Sequence, residues 1–270
     1  MLDDLKAFET LKLSRDGAVL RIEIARADVK NAVNRQMHGE LATVFQLADA
    51  DPHSRIVVLT GAGDAFCAGG DIEYMKYMRD TPGAFAESTV EARRIVFGML
   101  DMAKPMVARI NGDAIGLGAT LALFSDITVA VDTARIADPH VRVGLVAGDG
   151  GAVIWPALVG YARAKAALLT GKAVAAADAV AMGLINEAVP ADELDARVAA
   201  WVRDLDIGAT MAVRYTKMAV NAGLRQLAST MLDASLACEI VTALSPDHAE
   251  AVDAFEQRRR PDFDKSLPKP

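Results

Sequence analysis

Alternating apolar and polar residues open the chain. Leu20, Ile22 and Ile24 alternate with polar neighbours, and a similar short run at 11–14 precedes the turn sequence Arg15-Asp16-Gly17-Ala18. Period-two alternation on both sides of a glycine-containing turn is typical of a half-buried hairpin. The pattern therefore predicts two antiparallel strands at the start of the fold.

Two similar units follow, each with a helix, a buried strand and a glycine-rich turn that leads into another helix. Apolar residues recur at helical spacing over 35–50 and 90–102, and each of these segments precedes a short apolar run, at 56–60 and 106–110. Further strands are predicted at 127–131, 134–136 and 185–189, and further helices at 152–159, 162–169 and 175–182.

After Pro190 the pattern is helical throughout. Four helices are predicted at 192–205, 210–222, 228–244 and 246–257, with no strand between them. We divide the chain into a core at 1–190 and a helical region at 191–270. Helices that have no sheet to cover must bury their apolar faces elsewhere, so we expect a homo-oligomer.

Composition narrows the class of protein. The 270 residues are 52% hydrophobic, and a net charge of −7 without a basic stripe argues against nucleic acid or an anionic membrane surface as partner. The N-terminus has no secretory pattern, and the sequence has no run of about 18 apolar residues that would predict a membrane span. Two cysteines, Cys67 and Cys238, are too few for a disulfide framework or a metal cluster. We expect unpaired thiols and a cytoplasmic protein.

Two glycine-rich turns carry the first candidate chemistry: Cys67-Ala68-Gly69-Gly70-Asp71 and Gly112-Asp113-Ala114-Ile115-Gly116-Leu117-Gly118. Each leaves backbone N–H groups near the start of a helix, and two such turns can hold one developing oxyanion. We expect the amides of Gly70 and Leu117 to do so. Phe66 is predicted to anchor the first turn in the core, and Asp71 to cap the next helix.

These turns are part of a longer ordered set of motifs, and with them the chain resembles the crotonase superfamily, the enoyl-CoA hydratase and isomerase group. The matching segments span nearly the whole chain: Lys30-Asn31-Ala32-Val33-Asn34, Ala68-Gly69-Gly70-Asp71-Ile72, Lys104-Pro105, Asn111-Gly112, Gly116-Leu117-Gly118, Ser125-Asp126, Leu168-Leu169-Thr170-Gly171 and Gly183-Leu184-Ile185-Asn186.

The resemblance implies an α/β fold of stacked ββα turns, the ClpP-like crotonase fold, with a C-terminal helical region that forms trimers, often paired as hexamers. It also implies an acyl-CoA thioester as substrate, with coenzyme A part of that substrate and no separate cofactor or metal. An enolate would be held by the Gly70 and Leu117 amides. Other contacts to coenzyme A are implied for Lys30, Ala32, Ala68, Asp71, Ile72 and Glu73, and for the basic cluster Arg258-Arg259-Arg260.

The chain departs from the family at the acid/base positions. The two glutamates of the hydratases align with Thr120 and His140, so neither carboxylate is available. Threonine can hydrogen-bond a water but is no general base near neutral pH, whereas histidine titrates in that range. His140 becomes the leading acid/base, and we expect Asp149 to accept a hydrogen bond from its ring.

Two alternatives stay open at this point. The motifs Pro139-His140, Gly148-Asp149-Gly150 and Trp155-Pro156 are similar to those of β-diketone hydrolases such as 6-oxocamphor hydrolase, which cleave a carbon–carbon bond by retro-Claisen chemistry. Those enzymes lack the first glycine turn that this chain retains. The other alternative is a non-catalytic acyl-CoA-binding subunit that has lost its glutamates.

The other candidate residues have simpler interpretations. We expect His38, His53 and His248 on the surface, because each lies in or near a helix or turn without a matching partner. Cys67 is adjacent to the oxyanion turn, but a small core residue is favoured over a nucleophile.

Overall fold

A computed structural model describes residues 8–266 and shows a twisted sheet flanked by helices. The strands are β1 (Leu11–Asp16), β2 (Val19–Ile24), β3 (Ile56–Gly61), β4 (Met106–Ile110), β5 (Ala114–Ile115), β6 (Ile127–Val131), β7 (Arg135–Ala137), β8 (Val174–Ala175) and β9 (Glu187–Val189). Six of them form the main sheet in the order β1-β2-β3-β4-β6-β9, and β5-β7-β8 form a second, smaller sheet. The predicted α/β fold is confirmed.

The hairpin and the parallel strands lie where the pattern placed them. β1 and β2 pair antiparallel around Gly17, whose φ of 53° suits glycine, and β3, β4, β6 and β9 then add in parallel. All six residues of β3 are buried, as expected for a parallel strand covered on both faces. The carboxyl ends of β3 and β4 therefore lead into the two glycine turns from the same edge of the sheet.

The helices within the described residues are α1 (Arg35–Ala50), α2 (Ile72–Asp80), α3 (Ala84–Asp101), α4 (Leu117–Leu123), α5 (Gly151–Leu168), α6 (Ala176–Ala181), α7 (Leu194–Ile207), α8 (Thr210–Ala243) and α9 (Pro246–Glu256). The segments predicted as two helices at 152–159 and 162–169 form α5. Its backbone is broken between them at Gly160, with φ 75° and ψ 160°.

The C-terminal prediction was wrong in one respect. The helices expected at 210–222 and 228–244 are a single 34-residue helix, α8, that continues through Gly223. One glycine inside a helix costs only about 1 kcal/mol relative to alanine, and this helix has no proline, so nothing ends it.

One hydrophobic core connects the sheet to the C-terminal helices. Phe45, Phe66 and Trp155 are at its centre with 1% exposure or less, and the predicted anchoring role of Phe66 is confirmed. Leu194 from α7 and Leu232 from α8 belong to the same core. The helical region predicted after residue 190 is thus packed into the core of the preceding residues.

Along residues 8–266, no individual helix is both long and apolar enough to cross a membrane. Only α8 and α9 taken together, with a bend of 69° between them, meet that criterion.

Candidate active site

Backbone hydrogen bonds join the two glycine turns. The Cys67 amide donates to Asp113 O over 3.1 Å, and the Ile115 amide donates to Cys67 O over 2.9 Å. The turns touch at their glycines: a Cβ on Gly118 would lie 2.6 Å from Cys67 O, and one on Gly69, whose φ is +87°, would lie 3.0 Å from Ile115 O. Side chains at these glycines would push the turns apart.

Both predicted amides border one cavity of about 90 Å³. Gly70 forms a parallel bridge with Val33 in which Val33 donates to Gly69 O and Asp71 donates to Val33 O. This pattern directs the Gly70 N–H away from Val33. Leu117 is the first residue of α4, and among the described residues its amide has no backbone acceptor. Two unpaired amides on linked turns are suited to holding a substrate oxygen.

His140 borders the same cavity and is held by a carboxylate that the sequence analysis missed. His140 is the first residue of the short 3₁₀ turn His140–Val143. Its ring Nδ1 lies 2.5 Å from Oδ1 of Asp138, whose side chain is 1% exposed. A Cβ on Gly151 would lie only 2.0 Å from Asp138 Oδ2, so glycine at the start of α5 makes room for this carboxylate. Asp138 thereby fixes the orientation of the imidazole.

Asp149 lies on the other side of the ring. Its Oδ2 is 3.6 Å from His140 Nε2, and the Thr120 hydroxyl donates to its Oδ1 over 3.4 Å. The role expected for Asp149 in fixing the ring therefore belongs to Asp138, and Asp149 faces the nitrogen that is directed into the cavity. Thr120 is fully buried behind Asp149 and does not line the cavity.

Charge changes the expected behaviour of this cluster. Burial alone would lower the pKa of His140, but the charges of Asp138 and Asp149 outweigh it, so the pKa is raised well above its ordinary value. Burial raises the pKa of Asp149, and the His140 charge opposes that shift. The direction of this shift favours the imidazolium, the form of the ring that can donate a proton.

A second missed residue, Glu239 on α8, completes the acidic surroundings. It is 6% exposed and borders the cavity, and a Cβ on Gly148 would lie 2.4 Å from its Oε2. Burial raises the pKa of Glu239 to about 8, so this carboxyl is largely protonated at neutral pH. It offers a hydrogen-bond donor where an ionised glutamate would only accept.

Ligand atoms of Asp138, His140 and Asp149 lie within 4.8 Å of one another, a separation compatible with a metal ion. However, the hydrogen bond to Asp138 already occupies Nδ1 of the imidazole. A cation bridging all three side chains would have to break that bond. The arrangement fits proton transfer better than metal ligation.

Two histidines expected on the surface are buried, so those predictions were wrong. His38 is 7% exposed, because it lies on the inner face of α1 and borders the cavity beside Glu91. His248 is fully buried, with Nδ1 2.7 Å from Val143 O, and it supports the turn that begins at His140. His53 is exposed, as predicted.

Cys67 is a core residue, as predicted. Burial raises the pKa of its thiol to about 12, so it is protonated at neutral pH. Cys238 is exposed, and neither residue is in a disulfide.

The remaining predicted contact residues lie outside the cavity. Asp71 caps α2 by accepting from the Glu73 amide over 3.0 Å, which confirms its predicted capping role. Lys30 and Glu73 are exposed, whereas Ala32, Ala68 and Ile72 are half-buried. Lys30 O accepts from the Ala68 amide over 3.0 Å, so these residues form one strip beside Gly70.

The C-terminal arginines are exposed, and they lie far from this strip along the chain. Arg259 forms an ion pair with Glu250 on α9, and Arg258 has a φ of 53°. Lys76 of α2 pairs with Glu256 over 2.9 Å, which ties the end of α9 to the helix that follows the first glycine turn.

Comparison with known proteins identifies relatives along nearly the whole chain. The family model for enoyl-CoA hydratase/isomerase matches residues 14–266. A probable enoyl-CoA hydratase, echA8, from Mycobacterium bovis is 30% identical over 257 residues, covering 95% of this chain and 98% of that protein.

Solved structures agree with the sequence matches. An enoyl-CoA hydratase/isomerase from Mycobacterium paratuberculosis superposes with a TM-score of 0.88 at 37% identity, covering 92% of this chain and 99% of that chain. A β-diketone hydrolase from the cyanobacterium Anabaena, bound to (S)-3-oxocyclohexyl acetic acid, superposes with a TM-score of 0.83 at 27% identity. It covers 89% of this chain and 96% of its own.

Proposed function

The chain belongs to the enoyl-CoA hydratase/isomerase family, and on that premise we propose that it acts on an acyl-CoA thioester through an enolate. In this proposal the Gly70 and Leu117 amides hold the enolate oxygen. His140 and Asp149 replace the glutamate pair as proton-transfer groups, and coenzyme A enters as part of the substrate.

A single observation carries the proposal. A buried imidazole, fixed at Nδ1 by Asp138 and facing Asp149 through Nε2, borders the same cavity as the two unpaired amides. The amides stabilise negative charge on an oxygen, and the His140–Asp149 pair exchanges protons beside it. Enolate chemistry needs these two elements together.

For hydration, the proposed steps balance as follows. Asp149 takes a proton from water as the water oxygen bonds to Cβ of the enoyl group. Electrons of the Cα=Cβ bond move into the thioester to give the enolate at the two amides. The His140 imidazolium then protonates Cα, and the proton on Asp149 returns to His140 across the 3.6 Å gap. The net change is addition of water.

Glu239 contributes a neutral hydrogen-bond donor in this proposal. Because its pKa is about 8, the carboxyl is largely protonated below that pH, where it adds no further negative charge beside the enolate. As pH rises past this value, Glu239 would lose its proton and the cavity would gain a negative charge.

A second candidate function is retro-Claisen hydrolysis of a β-diketone. It is favoured by the histidine–aspartate pair in place of glutamates and by the similarity to the Anabaena hydrolase. Water would add to one carbonyl, the bond to the central carbon would break, and the departing enolate would rest on the same amides. The retained first glycine turn favours the thioester.

Product analysis separates the two functions. Purified protein is incubated with a series of enoyl-CoA thioesters and, separately, with cyclic and linear β-diketones, and products are identified by mass spectrometry. Hydration leaves the carbon skeleton intact, whereas hydrolysis divides or opens it. The proposal is overturned if no thioester is converted, or if His140→Ala retains full turnover on every accepted thioester. Coenzyme A binding without any conversion would identify the non-catalytic subunit.

Assembly and the coenzyme A tail extend the proposal. Large apolar side chains on α8 are exposed, among them Met211, Tyr215 and Val220 at 61–72%, and these support a homotrimer or a hexamer of two trimers. We also propose that the strip from Lys30 to Glu73 and the arginines at 258–260 contact coenzyme A in a cytoplasmic enzyme. Size-exclusion chromatography with light scattering measures the assembly directly.

A further inference from the structure

Three helices form a polar wall of the cavity that the proposed reaction does not use. This wall consists of His38 on α1 and Tyr74 on α2, which line the cavity, with Glu91 on α3 behind His38. His38 Nδ1 lies 2.6 Å from Glu91 Oε2, and the His38 and Tyr74 rings are tilted by 52° with centroids 5.8 Å apart. Residues from three separate elements thus meet at one place.

The wall leaves two polar atoms without partners. Both the His38 side chain and Tyr74 are at least nine-tenths buried and border the cavity. Within the described part of the chain, no hydrogen bond is found to His38 Nε2 or to the Tyr74 hydroxyl. Neither atom is among the fully shielded side-chain atoms without a partner, so both keep access to the cavity, where a ligand hydroxyl or a water can bond to them.

Glu91 determines what the free nitrogen offers. In the tautomer whose Nδ1–H donates to the Glu91 carboxylate, Nε2 is the acceptor. Tyr74 offers a hydroxyl donor, since burial raises its pKa to about 12 and keeps it protonated. The wall therefore presents one acceptor and one donor side by side.

The rest of the lining sharpens the selection. The remaining wall is formed largely by apolar side chains: Val33, Met75, Met78, Phe85, Ala92 and Leu236. Asp149 and Glu239 border the cavity, and Glu91 and Asp138 lie behind it against the two histidine rings. An anionic group on the ligand would lie close to these carboxyl groups, whereas a neutral hydroxyl both donates and accepts.

We propose that the wall of His38, Tyr74 and Glu91 selects acyl-CoA thioesters whose acyl chain carries a hydroxyl group beyond Cβ. The hydroxyl donates to His38 Nε2 and accepts from the Tyr74 phenol, while the thioester oxygen lies at the Gly70 and Leu117 amides. This inference rests on the proposed function, because it assumes that an acyl-CoA occupies the cavity.

Binding of saturated thioesters tests the selection without turnover. The probes are the four-carbon acyl-CoA with a terminal hydroxyl and the five-carbon acyl-CoA in which a methyl replaces that hydroxyl, measured by isothermal titration calorimetry. We expect wild type to bind the hydroxyl probe about tenfold more tightly, an effect on the order of one well-formed hydrogen bond. A four-carbon probe with a terminal carboxylate should bind more weakly than either.

Variants assign the preference to the wall. His38→Leu and Tyr74→Phe should each reduce the preference for the hydroxyl probe, and the double variant should abolish it, with the methyl probe unaffected. His38→Gln, which retains an acceptor, should recover part of the preference. Ser88→Ala is the matched control, because Ser88 borders the same cavity but its hydroxyl already donates to Phe85 O over 2.7 Å.

The outcomes separate this inference from the proposed function. Equal binding of the two probes to wild type overturns the selection and leaves the thioester proposal standing. Equal losses on both probes in His38→Leu, Tyr74→Phe and His38→Gln assign the wall a structural role and also overturn the selection. If no acyl-CoA binds to wild type at all, the proposed function itself has failed, and the inference fails with it.

Discussion

Two histidine–carboxylate pairs border one cavity, and they differ in how the chain builds them. His140 lies on a short turn between two loop carboxylates, Asp138 and Asp149, whose side chains are 1% and 11% exposed. His38 lies on a helix and contacts one carboxylate, Glu91, which is 33% exposed. Burial by itself would lower the pKa of His140, but the charges of Asp138 and Asp149 outweigh it and raise the pKa well above its usual value. In our proposals, a similar pairing supplies a proton donor in one place and a hydrogen-bonding wall in the other.

Backbone conformation explains the difference. Glycines leave room for the carboxyl groups around His140, as Gly151 does for Asp138 in the loop before it and Gly148 does for Glu239 on α8. Helices space their residues regularly, so α1 and α3 bring one residue each to the second pair. The pair at His140 therefore brings several charges close together, whereas the pair of His38 and Glu91 is held in place by two helices.

The largest effect is expected from removing the donor itself. His140→Ala should lower kcat/KM on accepted thioesters by about a thousandfold, within the range of general acid–base catalysis. Steady-state kinetics measure this, with His53→Ala as an exposed control that should match wild type. A loss in His140→Ala that is no greater than in His38→Leu would remove the distinction between the two pairs.

Asp138→Asn should lower kcat by about a hundredfold. The asparagine amide carries no negative charge to stabilise the imidazolium, and it holds the ring less firmly than the carboxylate does. Without this negative charge, the pKa of His140 should fall toward its ordinary value. The imidazolium would then be lost at lower pH, so the alkaline limb of the pH–rate profile should move down. Asp113→Asn, which alters an exposed pair with Arg135, is the control. An unmoved limb would contradict the role assigned to Asp138.

The pH dependence of wild type and Glu239→Gln tests whether Glu239 changes its charge in the cavity. Its pKa of about 8 means that wild-type activity should fall by about tenfold as pH rises past that value, since the donor becomes a carboxylate. Glu239→Gln should lack this step, because its amide stays neutral. A step that persists unchanged in the variant would assign it to another group.

The same group affects stability with a defined sign. The pKa of Glu239 is raised from 4.5 to about 8 in the folded state, so the folded state binds this proton more tightly. The free energy of unfolding should therefore fall as pH rises between these values, and should fall less in Glu239→Gln. Urea unfolding at several pH values measures the difference. Equal slopes in both proteins would refute the assignment.

The smallest effect is expected at the helical pair. Glu91→Gln should change kcat on unsubstituted enoyl thioesters by less than about twofold, because the glutamine oxygen still accepts from His38 Nδ1. Binding of the hydroxyl probe should weaken by only about threefold. Calorimetry and kinetics on the same preparation check both values, and a loss as large as that of Asp138→Asn would place both pairs in the proton-transfer machinery.

Local residue patterns predicted the frame of this site. The two glycine turns, the buried strands that lead into them, and the pair His140 and Asp149 all follow from short stretches of sequence. The cap at Asp71 and the core position of Phe66 were predicted for the same reason. In each case the signal lies within a few residues of the feature that it describes.

Some site residues were not indicated by the sequence, or were expected on the surface, because packing between distant segments decides their position. Glu239 reaches the cavity, and Glu91 reaches His38, from helices that begin far from either turn, and nothing near them in sequence marks a site. Asp138 precedes Pro139-His140 directly, and its closeness to the imidazole was a signal that could have been used. His38 was placed on the surface because the helical pattern of α1 does not say which neighbours cover its inner face.

The order of residues was enough to determine the α/β class and the two glycine turns, because backbone preference and hydrophobic periodicity act over short range. Tertiary structure alone decided which carboxylates surround His140, and hence its charge. Burial and the electric field of neighbours act through space, and they join residues as far apart along the chain as Asp138 and Glu239.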